Sequence, residues 1–311
     1  NELKISLKND EYTFESGIKS FENLQKANND KYEYVFPYYS FNKIISDNKY
    51  NGRINFVSTG DNILNNTNVL KSSITNDLEY RSEDYILQNG LKTFYEIDLK
   101  NLNSVGKNNA DYKSSPQVEF MSIFNFNSSY PLLKQTENSI NYLTPKILLR
   151  INPGDMKDHS LSDKTINVDN IFSKNRLGIG DSFESGRSLT LGIDYKKENL
   201  NDFNKFFEIK LASVLRDKEE NFIPKKTTLN KKSSNFYGSL SNNFSDFFNL
   251  NYKFSLNNNL DSFDYNDFGA EFKFNNFNTK VNFVEERAEM GNTNFLENSA
   301  SIEFDEKNFL T

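Results

Sequence analysis

The sequence predicts an all-β chain: a large antiparallel transmembrane β-barrel, incomplete and open in this fragment. Three observations predict it. Large apolar residues alternate with charged and amide residues along most of the chain, the period of two that puts successive side chains on opposite faces of a strand. Such runs recur roughly every 20 residues, giving on the order of 15 strands of about ten residues each. The connections are long and polar, and only 13 Gly and 6 Pro stand among 311 residues to make tight corners. A soluble β-sandwich shows the same alternation, so the period by itself leaves both architectures open. Strand number and loop length favour the barrel.

The elements follow in order. Leu3, Ile5 and Leu7 oppose Glu2, Lys4, Ser6 and Lys8, and Tyr12 and Phe14 resume the pattern after Asn9-Asp10. Asn28-Asn29-Asp30 reads as a polar connection, followed by a strand with Tyr32, Tyr34 and Phe36 on one face. Pro37 has no N–H to donate, so the pairing must bend, bulge or end there. Tyr38-Tyr39 fit either an interfacial aromatic girdle or ordinary core packing. Gly52 to Ser58 offers a strand (Ile54, Phe56), then an Asn-rich loop through Thr67. Leu91 to Lys100 alternates, and Asn101 to Ser115 reads as a loop by composition. Val118, Phe120, Phe124 and Phe126 share one face. Tyr130-Pro131 and Thr144-Pro145 mark breaks. Lys146 to Ile151 is a compact strand closed by Asn152-Pro153-Gly154.

Beyond the centre the alternation is cleaner. Phe207, Ile209 and Leu211 oppose Glu208 and Lys210. Arg216 to Ser234 reads as a long polar loop whose lysine pairs are solvated surface. Phe248 to Leu256, Phe268 to Phe274, Val281-Phe283 and Ala300 to Phe304 each set aromatic or aliphatic residues against Asn, Lys, Glu or Ser. No stretch has a helical period.

Composition excludes several functions. A net charge of −6 argues against a nucleic-acid partner, which calls for a basic face. Zero Cys removes thiol catalysis, thiolate metal sites and disulfides, and a single histidine, His159, argues against histidine metal clusters. His159 lies in a polar loop with no nucleophile elbow around it. Gly178-Ile179-Gly180 precedes no helix and is no phosphate-binding fingerprint. No catalytic residue, metal site or cofactor is expected. Low mean hydropathy excludes a helical membrane bundle, since no run is long enough to span, but not a barrel, where every second strand residue faces lipid. Asn1 already lies inside an alternating run, so the chain reads as a fragment cut at both ends.

The stretch Lys164 to Lys197 differs in kind. Ile166, Val168 and Ile171-Phe172 make an apolar approach. A charged, glycine-bearing segment follows, with Arg176, Gly178, Gly180, Asp181, Glu184, Gly186 and Arg187. It closes on the strand pattern Leu189, Leu191, Ile193 and Tyr195. Mixed charges beside glycines suit a loop that folds back on the polar wall of a barrel; a solvated hairpin loop fits the same residues.

Several segments together resemble the LptD family, the outer-membrane proteins of lipopolysaccharide delivery. They are Phe21 to Leu24 with Lys31 to Pro37, Thr144-Pro145 with Leu149-Arg150, and Asn170-Ile171-Phe172, Asn175-Arg176, Gly178, Asp181, Glu184-Ser185-Gly186, Arg187 and Gly192. Ser182 departs from the pattern, which usually has arginine after the aspartate. The resemblance implies a barrel of on the order of 26 strands in the cell outer membrane, of which residues 1–311 are one part. A jelly-roll domain would precede it, and further strands would follow. It implies insertion of lipopolysaccharide into the outer leaflet through a hydrophilic lumen and a lateral seam. The implied partners are an LptE-type plug lipoprotein, the periplasmic Lpt bridge, lipopolysaccharide and outer-membrane lipid. A passive porin-like barrel and a soluble β-rich surface domain are the alternatives. The resemblance also implies disulfides tying the jelly-roll region to the barrel; with zero Cys here, those either lie outside the fragment or are missing.

On this reading Asn170, Phe172, Arg176, Gly178, Asp181, Glu184, Gly186 and Arg187 face the lumen or its plug. Arg176 and Arg187 are expected to pair with Asp181 or Glu184. In a wet lumen each pair would contribute only about 0–1 kcal/mol. Lys253, Glu271 and Lys273 are expected to line the lumen.

Overall fold

A computed structural model describes residues 1–26, 31–47, 51–109, 111–305 and 308–310. The connection expected at Asn28-Asn29-Asp30 lies outside the described residues. The chain is all-β, with 18 strands in one sheet among the described residues. The sheet is antiparallel and not closed. The strands are β1 (Glu2–Lys8), β2 (Tyr12–Glu22), β3 (Tyr32–Asp47), β4 (Gly52–Asn65), β5 (Val69–Ser82), β6 (Tyr85–Ile86), β7 (Lys92–Lys107), β8 (Gln117–Ser129) and β9 (Leu132–Gln135). They continue as β10 (Ser139–Asn152), β11 (Gly186–Asn199), β12 (Phe206–Arg216), β13 (Phe236–Ser245), β14 (Phe248–Leu256), β15 (Phe263–Phe274), β16 (Phe277–Glu286), β17 (Asn294–Asp305) and β18 (Asn308–Leu310).

The chain divides into two compact units. The first comprises Asn1–Asp84, Phe94–Phe124 and Gly180–Phe183; the second comprises Tyr85–Thr93, Asn125–Ile179 and Glu184–Thr311.

In the first unit β1 to β5 pair in succession and β5 pairs with β7. The bulge required by Pro37 is present: the register shifts between Val35 and Tyr38 against β4, and between Gly17 and Lys19 against β2. Tyr38 and Tyr39 divide between the two faces. Tyr38 Oη donates to Glu2 at 2.7 Å, whereas the Tyr39 ring covers Gly60, where a Cβ would stand 2.3 Å from it.

Two expected loops are strand instead. β4 runs through the Asn-rich segment to Asn65, and the turn is confined to Asn66-Thr67-Asn68, where Asn66 and Thr67 take positive φ. β7 runs past Lys100 to Lys107. The reason is the same in both: neighbouring strands satisfy the amides. Asn76 Nδ2 donates to Asn101 Oδ1 at 3.1 Å, as does Asn103 Nδ2 at 2.7 Å, and Ser72 Oγ donates to Asn62 Oδ1 at 2.6 Å. Composition reads these residues as loop because it cannot see a partner. Strand β5 escapes the alternation rule for that reason, since Ser72 and Asn76 interrupt the row of Leu70, Ile74, Leu78 and Tyr80.

In the second unit β10 to β17 form a continuous series of hairpins. Tyr130-Pro131 does separate β8 from β9, but Thr144-Pro145 does not break β10. Pro145 pairs opposite Ile193, and its carbonyl accepts from Tyr130 N at 3.0 Å on the other edge. In an antiparallel strand a residue's N–H and C=O point to the same side. The missing donor of Pro145 therefore faces the gap already made at Pro131.

One face of this unit is apolar and exposed. Leu149, Leu189 and Leu215 lie opposite one another across β10, β11 and β12, followed by Ile147, Leu191 and then Pro145, Ile193 and Leu211. The opposite face carries the buried residues Leu148, Arg150, Thr190, Ala212, Val214 and Tyr237. What buries them is not a second sheet but the connections 153–185 and 217–235. Met156, Ile166, Val168, Ile171, Leu177 and Ile179 of one meet Ile223 and Leu229 of the other over Ala212, Val214 and Tyr237. The expected polar loop 216–234 is thus a packed element. Its lysine side chains stay at the surface, with Lys226 near Asp163 (2.6 Å) and Lys231 near Glu289 (3.2 Å).

Leu229 is fully buried, and Leu229→Ala is expected to lower the unfolding free energy by about 2–5 kcal/mol. Leu161, on connection 153–185, is 93% exposed, and Leu161→Ala is expected to change it by no more than about 0.5 kcal/mol. Denaturant unfolding of the protein in detergent micelles measures both. Equal effects would mean that the connections do not share a dry core.

A candidate site built on connection 153–185

The connection is shaped by its own side chains before it meets the sheet. Asn167 N donates to Asn170 Oδ1 (2.9 Å) and Asp169 N to Asn167 Oδ1 (2.9 Å), while Ile171 N reaches Asn167 O (3.0 Å). This turn delivers Ile166, Val168 and Ile171 to the apolar layer together. Asn175 closes a second turn, donating to Ile179 O (2.9 Å) and accepting from Ile179 N (3.2 Å), with Gly178 at φ +61° inside it. A left-handed residue is needed there, and glycine adopts it without steric cost.

Phe172 settles the connection on β11. A Cβ at Gly192 would lie 2.7 Å from the Phe172 ring, so the glycine leaves the hollow into which the ring fits. Lys146 Nζ stands 5.6 Å from the ring centroid and also pairs with Asp194 on the next strand. Asp169 reaches two further strands, meeting Lys210 at 3.7 Å and Lys253 at 3.1 Å.

Beneath lies a buried charge cluster. Glu184 receives Arg176 through Nε (2.7 Å) and Nη2 (2.5 Å), Arg150 of β10 through Nη1 (2.8 Å), and Arg216 of β12 through Nη1. All four side chains are almost wholly buried. Three guanidiniums against one carboxylate leave a surplus of positive charge, which neutral oxygens answer. Arg150 donates to Asn125 Oδ1 (3.2 Å), Ser173 O (2.6 Å) and Lys174 O (3.2 Å). Arg176 donates to Thr190 Oγ1 (2.9 Å) and Ser188 Oγ (3.0 Å), and Arg216 to Ser185 O. Burial by itself would raise the Glu184 pKa; the Arg176, Arg150 and Arg216 guanidiniums outweigh it and hold the carboxyl well below the usual range.

A second polar anchor holds the other connection. Tyr237 Oη donates to Thr227 O (2.6 Å), and Asn235 Nδ2 donates to Asp264 Oδ2 (2.7 Å) and Ser255 Oγ (3.0 Å).

Of the residues singled out in the sequence, Asn170, Phe172, Arg176, Gly178, Glu184 and Gly186 take part in this arrangement. Gly186 has φ +79°, and a Cβ there would stand 3.1 Å from Arg216 Nη2. Arg176 pairs with Glu184 as expected. Arg187 does not join: its side chain is 74% exposed, and Asp217 is the carboxylate near it, at 3.8 Å. The reason is strand alternation, since Arg187 follows Gly186 at the start of β11 and faces away from buried Ser188 and Thr190. Asp181 is half-buried and belongs with the first unit. Nor is the setting wet, so the 0–1 kcal/mol expected of a solvated pair does not apply to Arg176–Glu184.

Arg150 and Arg216 are the residues that sequence reasoning missed. Arg150 shares the parity of Lys146 and Leu148, which places it on the face opposite Ile147 and Leu149. That it meets Arg216 is decided by pairing, since both lie opposite Ser188 in register.

Removing the negative member of a buried cluster leaves uncompensated charge. Glu184→Gln is therefore expected to destabilise the protein by about 3–5 kcal/mol, against no more than about 0.5 kcal/mol for Arg187→Ala. Because the folded pKa of Glu184 is depressed, its stabilisation is present in full above the unfolded value of about 4.3 and declines as pH falls below it. Urea unfolding at neutral pH and at pH 3 tests both statements. The assignment fails if Glu184→Gln and Arg187→Ala behave alike at neutral pH.

A family model described as LptD, LPS transport system D, matches residues 1–308. No curated protein matches the chain. With an open antiparallel β-sheet, apolar and exposed on one side, and a match over essentially its whole length, the chain belongs to the LptD family of outer-membrane lipopolysaccharide-transport proteins.

Proposed function

We propose that this chain forms part of the wall of a barrel that inserts lipopolysaccharide into the outer leaflet, and that connection 153–185 lies on its lumenal side. The observation that carries the reading is the contrast between the two faces of β10 to β16. One is a row of exposed Leu, Ile and Phe side chains suited to lipid. The other is polar and charge-compensated: Lys146 pairs with Asp194, Lys210 with Glu208 (3.0 Å), and Lys280 and Lys273 with Glu271 (3.2 and 3.5 Å). Such a wall solvates sugars and offers nothing to acyl chains.

The two halves of the amphiphile then separate. The sugars travel along the polar wall, and the acyl chains leave sideways through a seam between strands. Each unsatisfied backbone group in hydrocarbon costs several kcal/mol, so the seam must be short or already weakened. The chemistry is transport, with no bond made or broken. An LptE-type lipoprotein on the lumenal side and the periplasmic Lpt bridge are the partners that fit this arrangement, the bridge delivering substrate through a domain N-terminal to the barrel.

Depletion of the full-length protein in its host, followed by a surface assay for lipopolysaccharide, tests the proposal. Loss of surface lipopolysaccharide is expected. Normal display with impaired uptake of small solutes would replace this reading with a passive diffusion barrel.

A further inference from the structure

We infer that the first unit carries, on its membrane-facing side, a two-lobed groove that receives acyl chains of lipopolysaccharide; this rests on the function proposed above. The groove follows from the bulge at Phe36-Pro37. One lobe, of about 570 Å³, is bounded by Leu3, Ile18, Leu64 and Leu70 together with Phe36. The other, of about 490 Å³, is bounded by Ile74, Val105 and Val118 together with Pro37. Asn62 borders both. The register shift falls between the lobes, and the Tyr39 ring over Gly60, together with Ser72, lines the second.

The lining fits a chain-bearing amphiphile and not bulk hydrocarbon. Leu3, Phe36, Ile74 and Val118 are all exposed on this face. Among them stand amide and hydroxyl groups, which are costly against plain hydrocarbon unless bonded. Asn62 donates to Phe36 O (2.9 Å) and accepts from Ser72 Oγ (2.6 Å), and Asn103 donates to Asn101 Oδ1 (2.7 Å). An asparagine amide offers two donors and two acceptor lone pairs. These bonds therefore leave both Asn62 and Asn103 with capacity to meet a ligand.

Depth and chemistry select the occupant. Leu64–Leu70 is the last pair but one before the β4–β5 turn, and Asn62–Ser72 lies two residues further in. The Asn62–Ser72 pair is thus within about 10 Å of the strand end, where acyl chains join their head group, and Asn103, opposite Ile74, lies two residues deeper. Glycerophospholipid esters present only acceptors at that level. The amide-linked, hydroxylated chains of lipopolysaccharide present donors as well, which the mixed Asn and Ser floor can use. Two lobes side by side seat two chains of one multi-chain lipid.

A photo-reactive amino acid placed at Ile74 or Val118 of the full-length protein, in its host's outer membrane, tests this. Leu211, exposed on the apolar face of the second unit, is the control position. Adducts with lipopolysaccharide at the two groove positions are expected to exceed those at Leu211 by about tenfold, the equivalent of about 1.4 kcal/mol of preference. Val105→Phe, which fills the second lobe, should bring the Val118 adduct down to the control level while the Leu211 adduct in the same variant stays unchanged. Equal adducts at all three positions, or adducts mainly with glycerophospholipid in the groove, would overturn the inference. Surface display measured in the same cells separates the two claims. If display depends on the protein while adducts are equal, the groove alone falls; if display does not depend on it, the transport reading falls.

Discussion

The second unit depends on one carboxylate. Glu184 can remain ionised away from water only if its charge is answered, and the three answers come from β10, from the connection itself and from β12. No two of the four residues are close in sequence except Arg176 and Glu184. The network is complete only when the connection lies on one face of the sheet, in one position. Ion pairs of this kind add little net stability, because burying the charges costs about as much as their attraction returns. What they add is discrimination: any other placement of the connection leaves three guanidiniums or one carboxylate buried without a partner.

Around that cluster the fold solves a problem peculiar to a single sheet. A sandwich covers the second face of a sheet with another sheet. Here the face is covered by two connections that carry their own apolar residues, so Ile171, Ile223 and Leu229 act as core although none lies in a strand. The Phe172 ring over Gly192 shows how close the approach is. The polar anchors at Glu184 and at Tyr237, the latter itself a member of this layer, hold the two connections down. Beyond the layer the same face is left with paired lysines and carboxylates.

Each unit has an apolar strand face, and the two are composed differently. In the second unit it is a regular row of Leu, Ile and Phe. In the first unit it is interrupted by Ser58, Asn76, Asn101 and Asn103, bonded to one another across β4, β5 and β7. Self-satisfied amides remove most of the cost of facing an apolar medium. They also keep a polar handle there, which a purely aliphatic face would not have.

The class of fold, the parity of most strands and the special character of residues 164 to 197 were legible in the sequence, because each rests on local pattern: alternation, glycine placement and composition. Ile147 and Leu149 could be assigned to one face and Arg150 to the other without any structure. So could the disturbance at Pro37, since a residue with no N–H must interrupt a ladder wherever it falls. Tertiary structure decided the partners. Asn101 to Lys107 reads as loop until Asn76 stands beside it, and Arg216 reads as the start of a polar loop until Glu184 is placed against it. Arg187 and Arg176 look equivalent in the sequence, yet one is solvated and the other buried. The difference is that pairing and burial depend on residues tens of positions away, and no local period carries that information.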